Sequence, residues 1–406
     1  MSPSDRSDIF EEEFLKEHLL ALASSLGIEE PRYRVLSASG KGENFIGVVY
    51  RVCLWQNDRD NDKRWFIFKV APRTEIQRLY TLVAIMFENE VAFYTKIVPL
   101  FEEILKRYKK SLDFVPKCYR TSLRECEEIV ILEDLAQRGF TLRDRLDQFD
   151  YCHASKALRH LGRLHALSFA LRDQRPETLE IFGKVRENLF NKNNLSNEIF
   201  QYRYELVADS VRTVLSDEDP KYVKRFNKFY ETVWTDSERA CMPKEAEPYS
   251  VISHGDSWSN NILFKYKKDS PEPEDVCLID FQFYRFASPA LDIHYLIYSS
   301  TNQELRDEYY DRLIRDYYDS LAEYLRGLGS DPTALFPLDV LRDHLTKFGF
   351  FAGAIAVITL HIVTANREEG TEVNDVEKLK ERVMNDTHYR VTLRDAFKDI
   401  IDRDYI

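Results

Sequence analysis

The chain has too few cysteines, too widely spread, to build a disulfide framework or a zinc site. Cys53, Cys118, Cys126, Cys152, Cys241 and Cys277 form no Cys-x-x-Cys pair and have no histidine at ligand spacing. Reduced thiols in a cytoplasmic protein are therefore expected. A basic excess is also missing. The 57 lysines and arginines stand against 69 aspartates and glutamates, and the net charge of −12 opposes attraction to a phosphate backbone, so nucleic acid is not an expected partner. The opening residues, Met1-Ser-Pro-Ser-Asp-Arg-Ser-Asp, lack the basic-then-apolar order of a signal peptide, and the secretory pathway is not expected either. Long apolar runs are absent with one exception, FGFFAGAIAVITLHIVTA from Phe348 to Ala365. That run just reaches the ~18 residues a bilayer needs. His361 and two threonines interrupt it and no second span accompanies it, so a buried helix and no membrane span are expected. There is no internal repeat and no low-complexity tract. The P-loop pattern Gly-x4-Gly-Lys-[Ser/Thr] and the nucleophile elbow Gly-x-Ser-x-Gly are both missing, which argues against a P-loop ATPase and against serine hydrolysis.

At 406 residues the chain exceeds the usual ~150 residues per domain, so two unequal lobes are expected. Apolar positions at helical spacing run from Phe10 to Leu26 and stop at Gly27, predicting a first helix. From Tyr33 to Val70 the pattern turns to short β-rich runs, with a hairpin of Phe45–Trp55 and Trp65–Val70 across a polar turn. A helix around Glu90 from Leu82 to Leu105 and two strands, 117–123 and 128–132, follow. Beyond them helices predominate, at about 151–172, 197–240, 303–327, 335–365 and 375–400, with one β-like island from Val251 to Phe283. The predicted fold is α+β and two-lobed: residues 1–135 form a small mixed lobe with an antiparallel sheet, and residues 136–406 a larger, mainly helical one. Gln137-Arg-Gly reads as a linker to a helix opening at Thr141.

The chemistry is concentrated in Val251-Ile-Ser-His-Gly-Asp-Ser-Trp-Ser-Asn-Asn-Ile-Leu-Phe and Val276-Cys-Leu-Ile-Asp-Phe-Gln-Phe. Phosphoryl transfer to a hydroxyl needs one carboxylate to accept the proton and further oxygen ligands to hold Mg²⁺ against the phosphates. His254, Asp256 and Asn261 match the kinase catalytic-loop spacing His-x-Asp-x4-Asn, and Asp280 in Ile-Asp-Phe stands where Asp-Phe-Gly supplies a metal ligand. Asp256 is thus the candidate base, Asn261 and Asp280 the candidate Mg²⁺ ligands, and His254 a brace for the loop. Singly, each acid could cap a turn or a strand end; their shared order and spacing favours chemistry.

The chain resembles the ecdysteroid kinase-like family, a branch of the aminoglycoside phosphotransferase and choline kinase group. The likeness rests on Gly40-Lys-Gly-Glu-Asn-Phe, Phe68-Lys-Val-Ala-Pro, Phe87-Glu-Asn-Glu-Val-Ala-Phe-Tyr, Leu132-Glu-Asp-Leu, His165-Ala-Leu-Ser, His254-Gly-Asp-Ser-Trp-Ser-Asn-Asn and Ile279-Asp-Phe-Gln. It implies a protein-kinase-like fold, Mg-ATP as donor, and a hydroxylated, steroid-like small molecule as acceptor. On that resemblance Gly40, Gly42 and Asn44 would approach the phosphates, though the third glycine of the protein-kinase pattern is lacking. Lys69, in a strand between Phe68 and Val70, would reach phosphate oxygens with Glu90 as its partner. Glu88, two residues earlier, would turn to solvent if Glu90 turns inward. Glu133 and Leu135, at the junction of the lobes, would offer backbone groups to adenine, and Asp292 would brace the catalytic loop. His165 lies on an apolar helical stripe and stays outside the site.

Two rivals remain. A protein kinase is disfavoured because no Ala-Pro-Glu segment follows Asp280, and a non-catalytic ligand-binding pseudokinase because Lys69, Glu90, Asp256, Asn261 and Asp280 are intact. The apolar helix 348–365, the aromatic run Phe281-Gln-Phe-Tyr-Arg-Phe and Trp258 point to an apolar acceptor pocket. The same helix could equally fill the lobe's core. Which acceptor is used and the oligomeric state have no signature in the sequence.

Overall fold

The computed structural model describes residues 3–37, 47–56, 62–72, 78, 83–144, 146–365 and 376–406. Gly40, Gly42 and Asn44 lie outside the described residues. Helix α1 (Pro3–Ser25) ends at Gly27, whose φ of +69° suits a residue without a Cβ. Strands β1 (Arg32–Ser37), β2 (Val48–Trp55), β3 (Arg64–Val70), β4 (Cys118–Ser122) and β5 (Ile129–Glu133) follow. They form one antiparallel sheet in the order β1-β2-β3-β5-β4. Side chains alternate across it as strand geometry requires. Phe66, Phe68, Val70, Ile129 and Ile131 bury one face against Phe14, Leu15, Leu19 and Leu22 of α1. The opposite face carries Ile67, Val130 and Leu132, packed with Val83, Phe87 and Val91 of α2 (Val83–Ala92). Lys69 belongs to this second face, the one toward the helical part.

The single helix expected over 82–105 is interrupted. A π-helical turn, Phe93–Ile97, separates α2 from α3 (Val98–Arg107), whose second residue is a proline. Thr141 opens no helix. It is the middle residue of β6 (Phe140–Leu142), where it pairs with Phe264, and α4 (Tyr151–Gln174) begins only after Asp150, whose side chain accepts the His153 amide as an N-cap.

The long helical stretches also divide. The 197–240 stretch becomes α5 (Glu198–Leu215), α6 (Pro220–Tyr230) and α7 (Val233–Ala240), with Asp219 capping and Pro220 starting α6. After the β-island come α8 (Pro289–Ser300) and α9 (Gln303–Arg326). The 335–365 stretch splits into α10 (Leu338–Lys347) and α11 (Phe350–Val363), with the chain bent by 57° between them. The last stretch splits at Asp386, which caps α13 (Thr387–Asp402) after α12 (Val376–Asn385). Among the described residues no single helix is long and apolar enough to cross a membrane. Helix α11 is instead surrounded by α5, α7, α8 and α13, and nearly all its side chains are buried.

The β-island forms β7 (Val251–Ser253), β8 (Ile262–Tyr266), β9 (Pro273–Leu278) and β10 (Arg285–Ala287). β6, β8 and β9 make one small sheet, and β7 pairs with β10. Residues 267–272 form the turn of the β8–β9 hairpin.

Candidate active site

The loop after β7 is shaped by Gly255. Its φ is +81°, and an added Cβ would collide with the carbonyl oxygen of Phe283, so only glycine fits. Asp292, on α8, grips this loop by its backbone: Oδ2 accepts from the His254 amide (2.6 Å) and Oδ1 from the Gly255 amide (2.9 Å). His165 Nε2 lies 3.1 Å from Asp292 Oδ2, and Tyr317 OH lies 2.8 Å from His165 Nδ1. Burial alone would raise the Asp292 pKa, but the His165 hydrogen bond and the Gly255 amide together hold it below the usual carboxylate range. His254 bridges to the next strand. Its Nε2 must donate to the carbonyl of Ile279 (2.9 Å), leaving Nδ1 as acceptor for the Asp256 amide (3.3 Å). Burial keeps this imidazole neutral by lowering its pKa, against the nearby Asp292. His254 and Asp292 thus make the bracing contacts expected of them, and His165 reaches the loop only through Asp292.

Asp256 is 8% exposed. Asn261, at the end of a 3₁₀ turn (Ser259–Asn261), donates from Nδ2 to Asp256 Oδ2 (2.8 Å) and to the Asp256 carbonyl (2.9 Å). The other oxygen, Oδ1, accepts from the hydroxyl of Tyr295 at 2.6 Å. Burial, aided by the charge of Asp280, pushes the Asp256 pKa up to about 6 despite these two donors. Tyr295 escapes sequence analysis. The only hint is its position three residues after Asp292 on one helix, and no motif gives that spacing a meaning.

Lys69 lies between two carboxylates. Its Nζ is 2.7 Å from Glu90 Oε2 and 2.5 Å from Asp280 Oδ1. Glu90 is buried on α2 while Glu88 is exposed, as the helical spacing predicts. Burial would lower the Lys69 ammonium, but Asp280 and Glu90 outweigh it and raise its pKa; burial raises Glu90, with Lys69 opposing. Asp280 itself has a φ of +66°, an unusual conformation for a residue with a side chain. Its neighbours hold it: the Ile279 amide donates to the Asn261 carbonyl (3.0 Å), Phe281 stacks on Phe93 of the π-helical turn at 3.8 Å, and Asn89 donates to the Gln282 carbonyl (3.2 Å). Contacts therefore run from Glu90 through Lys69 to Asp280, and from its neighbour Ile279 through Asn261 to Asp256.

At the junction Asp134 caps the turn after β5 through the Ala136 amide (3.0 Å) and pairs with Arg51 (2.7 Å). Glu133 lies 3.4 Å from Arg138, and its amide donates to the Lys117 carbonyl (2.8 Å). Leu135 is buried in a small apolar cluster with Phe140, Cys277, Leu263 and Ile279. The aromatic run after Asp280 does not line a pocket as a whole. Phe281 is fully buried against Phe93 and His254, and Phe286 packs on Phe182.

The model of the ecdysteroid kinase-like family matches residues 41–330, which span every one of these side chains. The chain belongs to that family and is of the kinase-like phosphotransferase type. No curated protein matches it in sequence. Among solved structures, the GDP complex of a mutant aminoglycoside 2′-phosphotransferase-IIIa is similar over 96% of this chain and 98% of that one, with 13% identity and a TM-score of 0.44.

Proposed function

We propose that this protein transfers the γ-phosphoryl group of ATP to a hydroxyl of a small, mostly apolar molecule. The observation that carries the proposal is the position of Lys69 between Glu90 and Asp280, with the Ile279 amide beside Asp280 bonded to Asn261, whose side chain holds the buried carboxylate of Asp256. Asp256 takes the proton of the acceptor hydroxyl. The acceptor oxygen bonds to the γ-phosphorus as the bond to the β–γ bridging oxygen breaks, and that electron pair leaves with ADP. The proton passes on to solvent when Asp256 ionises again. Lys69, fixed by Glu90, bears on the phosphates. Residues 1–135 would serve as the nucleotide lobe, and residues 136–406 would bring the catalytic loop and the acceptor site.

Mg²⁺ fits the donors available. Asn261 uses its amide nitrogen on Asp256 and keeps its side-chain carbonyl for a metal, while the side chain of Asp280 remains 25% exposed. Both offer hard oxygen ligands. Among the described residues no group of three or more His, Cys, Asp or Glu could hold a metal, which suits an ion that completes its shell from phosphate and water. When bound, the ion would neutralise phosphate charge. The apolar cluster around Leu135 supports an adenine site beside Glu133 and Leu135. All six cysteines are unpaired, in keeping with a cytoplasmic setting.

For the acceptor, Trp258 beside the base supports an apolar alcohol over a polycation, which would need convergent acids to offset its desolvation. The test incubates the protein with Mg-ATP and two panels, hydroxylated sterols and choline with aminoglycosides, and looks for a mass gain of one phosphoryl group. Transfer to the sterol panel is expected, with Asp256→Asn slower by at least ~10² in kcat. Transfer to the cationic panel alone would overturn the acceptor class, and near-normal turnover by Asp256→Asn would overturn the base.

A further inference from the structure

Tyr295 reaches Asp256 from outside the catalytic loop. It lies on α8 three residues after Asp292, so the two side chains share one face of that helix. One turn of α8 therefore holds the loop twice: Asp292 takes the backbone amides of His254 and Gly255, and Tyr295 takes the side chain of Asp256. A phenylalanine would fill the same space. The hydroxyl is an added polar atom in a buried position, and its partner is a carboxylate rather than a backbone carbonyl.

We infer, on the reading of Asp256 as the base, that Tyr295 is a positioning residue for phosphoryl transfer, its hydroxyl fixing the rotation of the Asp256 carboxylate that receives the acceptor's proton. With Asn261 on Oδ2 and Tyr295 on Oδ1, the carboxylate has no free rotation about its last bond. Toward the ionised carboxylate Tyr295 donates. Burial, reinforced by the charge of Asp256, raises its own pKa well above the ordinary phenol value, so it neither ionises nor competes as a base. The groups facing Asp256 act in both directions. Burial and Asp280 favour the protonated carboxyl, whereas Tyr295, Asn261 and the Arg285 guanidinium favour the carboxylate. Loss of the Tyr295 hydroxyl therefore frees the carboxylate to turn about its last bond.

The experiment measures kcat and the KM for ATP in transfer to a hydroxylated sterol. In Tyr295→Phe kcat should fall about tenfold while the KM for ATP holds, since the carboxylate loses one of its two fixed donors and no nucleotide contact changes. Genetically encoded 4-fluorophenylalanine at position 295 fills the place of the hydroxyl without donating and should lose kcat to the same extent, which covers the case of a Tyr295→Phe variant that fails to fold, whereas 3-fluorotyrosine, which keeps the donor, should keep wild-type kcat. Wild-type kcat in both non-donating variants would reduce Tyr295 to core filling and overturn the inference, leaving the Asp256→Asn test of the base unaffected. Normal turnover by Asp256→Asn would remove the reading on which the inference rests, even with a lowered kcat in Tyr295→Phe.

Discussion

At Gly255 the chain passes so near Phe283 that a methyl group would meet its carbonyl oxygen, and the backbone is already in the left-handed region. Relief would require the loop to move, and the loop amides are what Asp292 holds. Gly255→Ala is therefore expected to cost about 1–3 kcal/mol of stability and to lower turnover more than tenfold, although it alters no reacting group. Denaturant unfolding and the transfer assay measure the two effects, and a variant with wild-type values in both would show that the loop tolerates the change. Asp280 accepts a similar backbone conformation without being glycine. Its carboxylate explains why a side chain is retained there, since it provides half of the Lys69 cage.

Three elements meet at that cage: β3 brings Lys69, α2 brings Glu90, and the segment after β9 brings Asp280. Helix α2 is tied to that segment independently, through Asn89 and Gln282 and through the Phe93–Phe281 stack that the π-helical turn makes possible. On the proposed function Lys69 and Glu90 act as one unit, so each single change to Ala is expected to reduce activity at least tenfold, and the double change much less than the product of the two. A double-mutant cycle on kcat/KM measures the coupling. Strict additivity would mean that the 2.7 Å pair does not operate during turnover. The pairing was open to prediction because two residues on a helix separate its faces: Glu88 had to turn out if Glu90 turned in. The π-helical turn was not, because Phe93 and Ile97 continue an apolar helical pattern and nothing local marks the widened turn.

The molecule as a whole buries several histidines in their neutral form. Burial lowers the pKa of His294 to about 4, against its hydrogen bond to the Leu345 carbonyl, and lowers His344 to about 4, with Lys347 adding to the effect. His361 is lowered well below its ordinary value by burial and by Arg203 and Arg382. Each folded pKa lies below the unfolded value of ~6.5, so the stabilisation they confer is complete above that pH and is lost as pH falls from there toward 4. Asp256 and Glu90, both raised by burial, act in the opposite sense over part of this range and offset some of the loss. Thermal melts between pH 7.5 and pH 4.5 should show Tm falling most steeply below pH ~6.5. A flat profile would mean that these histidines take up protons without leaving their packed positions.

The spacing of His254, Asp256 and Asn261 within one loop, and of Asp280 at the end of one hairpin, is a local property of the chain, and the sequence alone determined it. So did the first helix, the antiparallel hairpin, and the long amphipathic stretches of the second half. Periodicity records which side of a helix is buried, but not where a neighbouring element forces it to turn. Asp219-Pro220, Phe348-Gly349 and Asp386 divide stretches that read as continuous, and Thr141 entered a strand because a partner, β8, was waiting far along the chain. Helix α11 was open to two readings until its neighbours α5, α7, α8 and α13 were seen to enclose it. Tyr295 is the clearest case: it meets Asp256 across 39 residues, and the contact exists only because Asp292 anchors α8 against the loop. Chemistry carried by neighbours in sequence is legible in sequence, whereas contacts between distant segments depend on how the packed core brings those segments together.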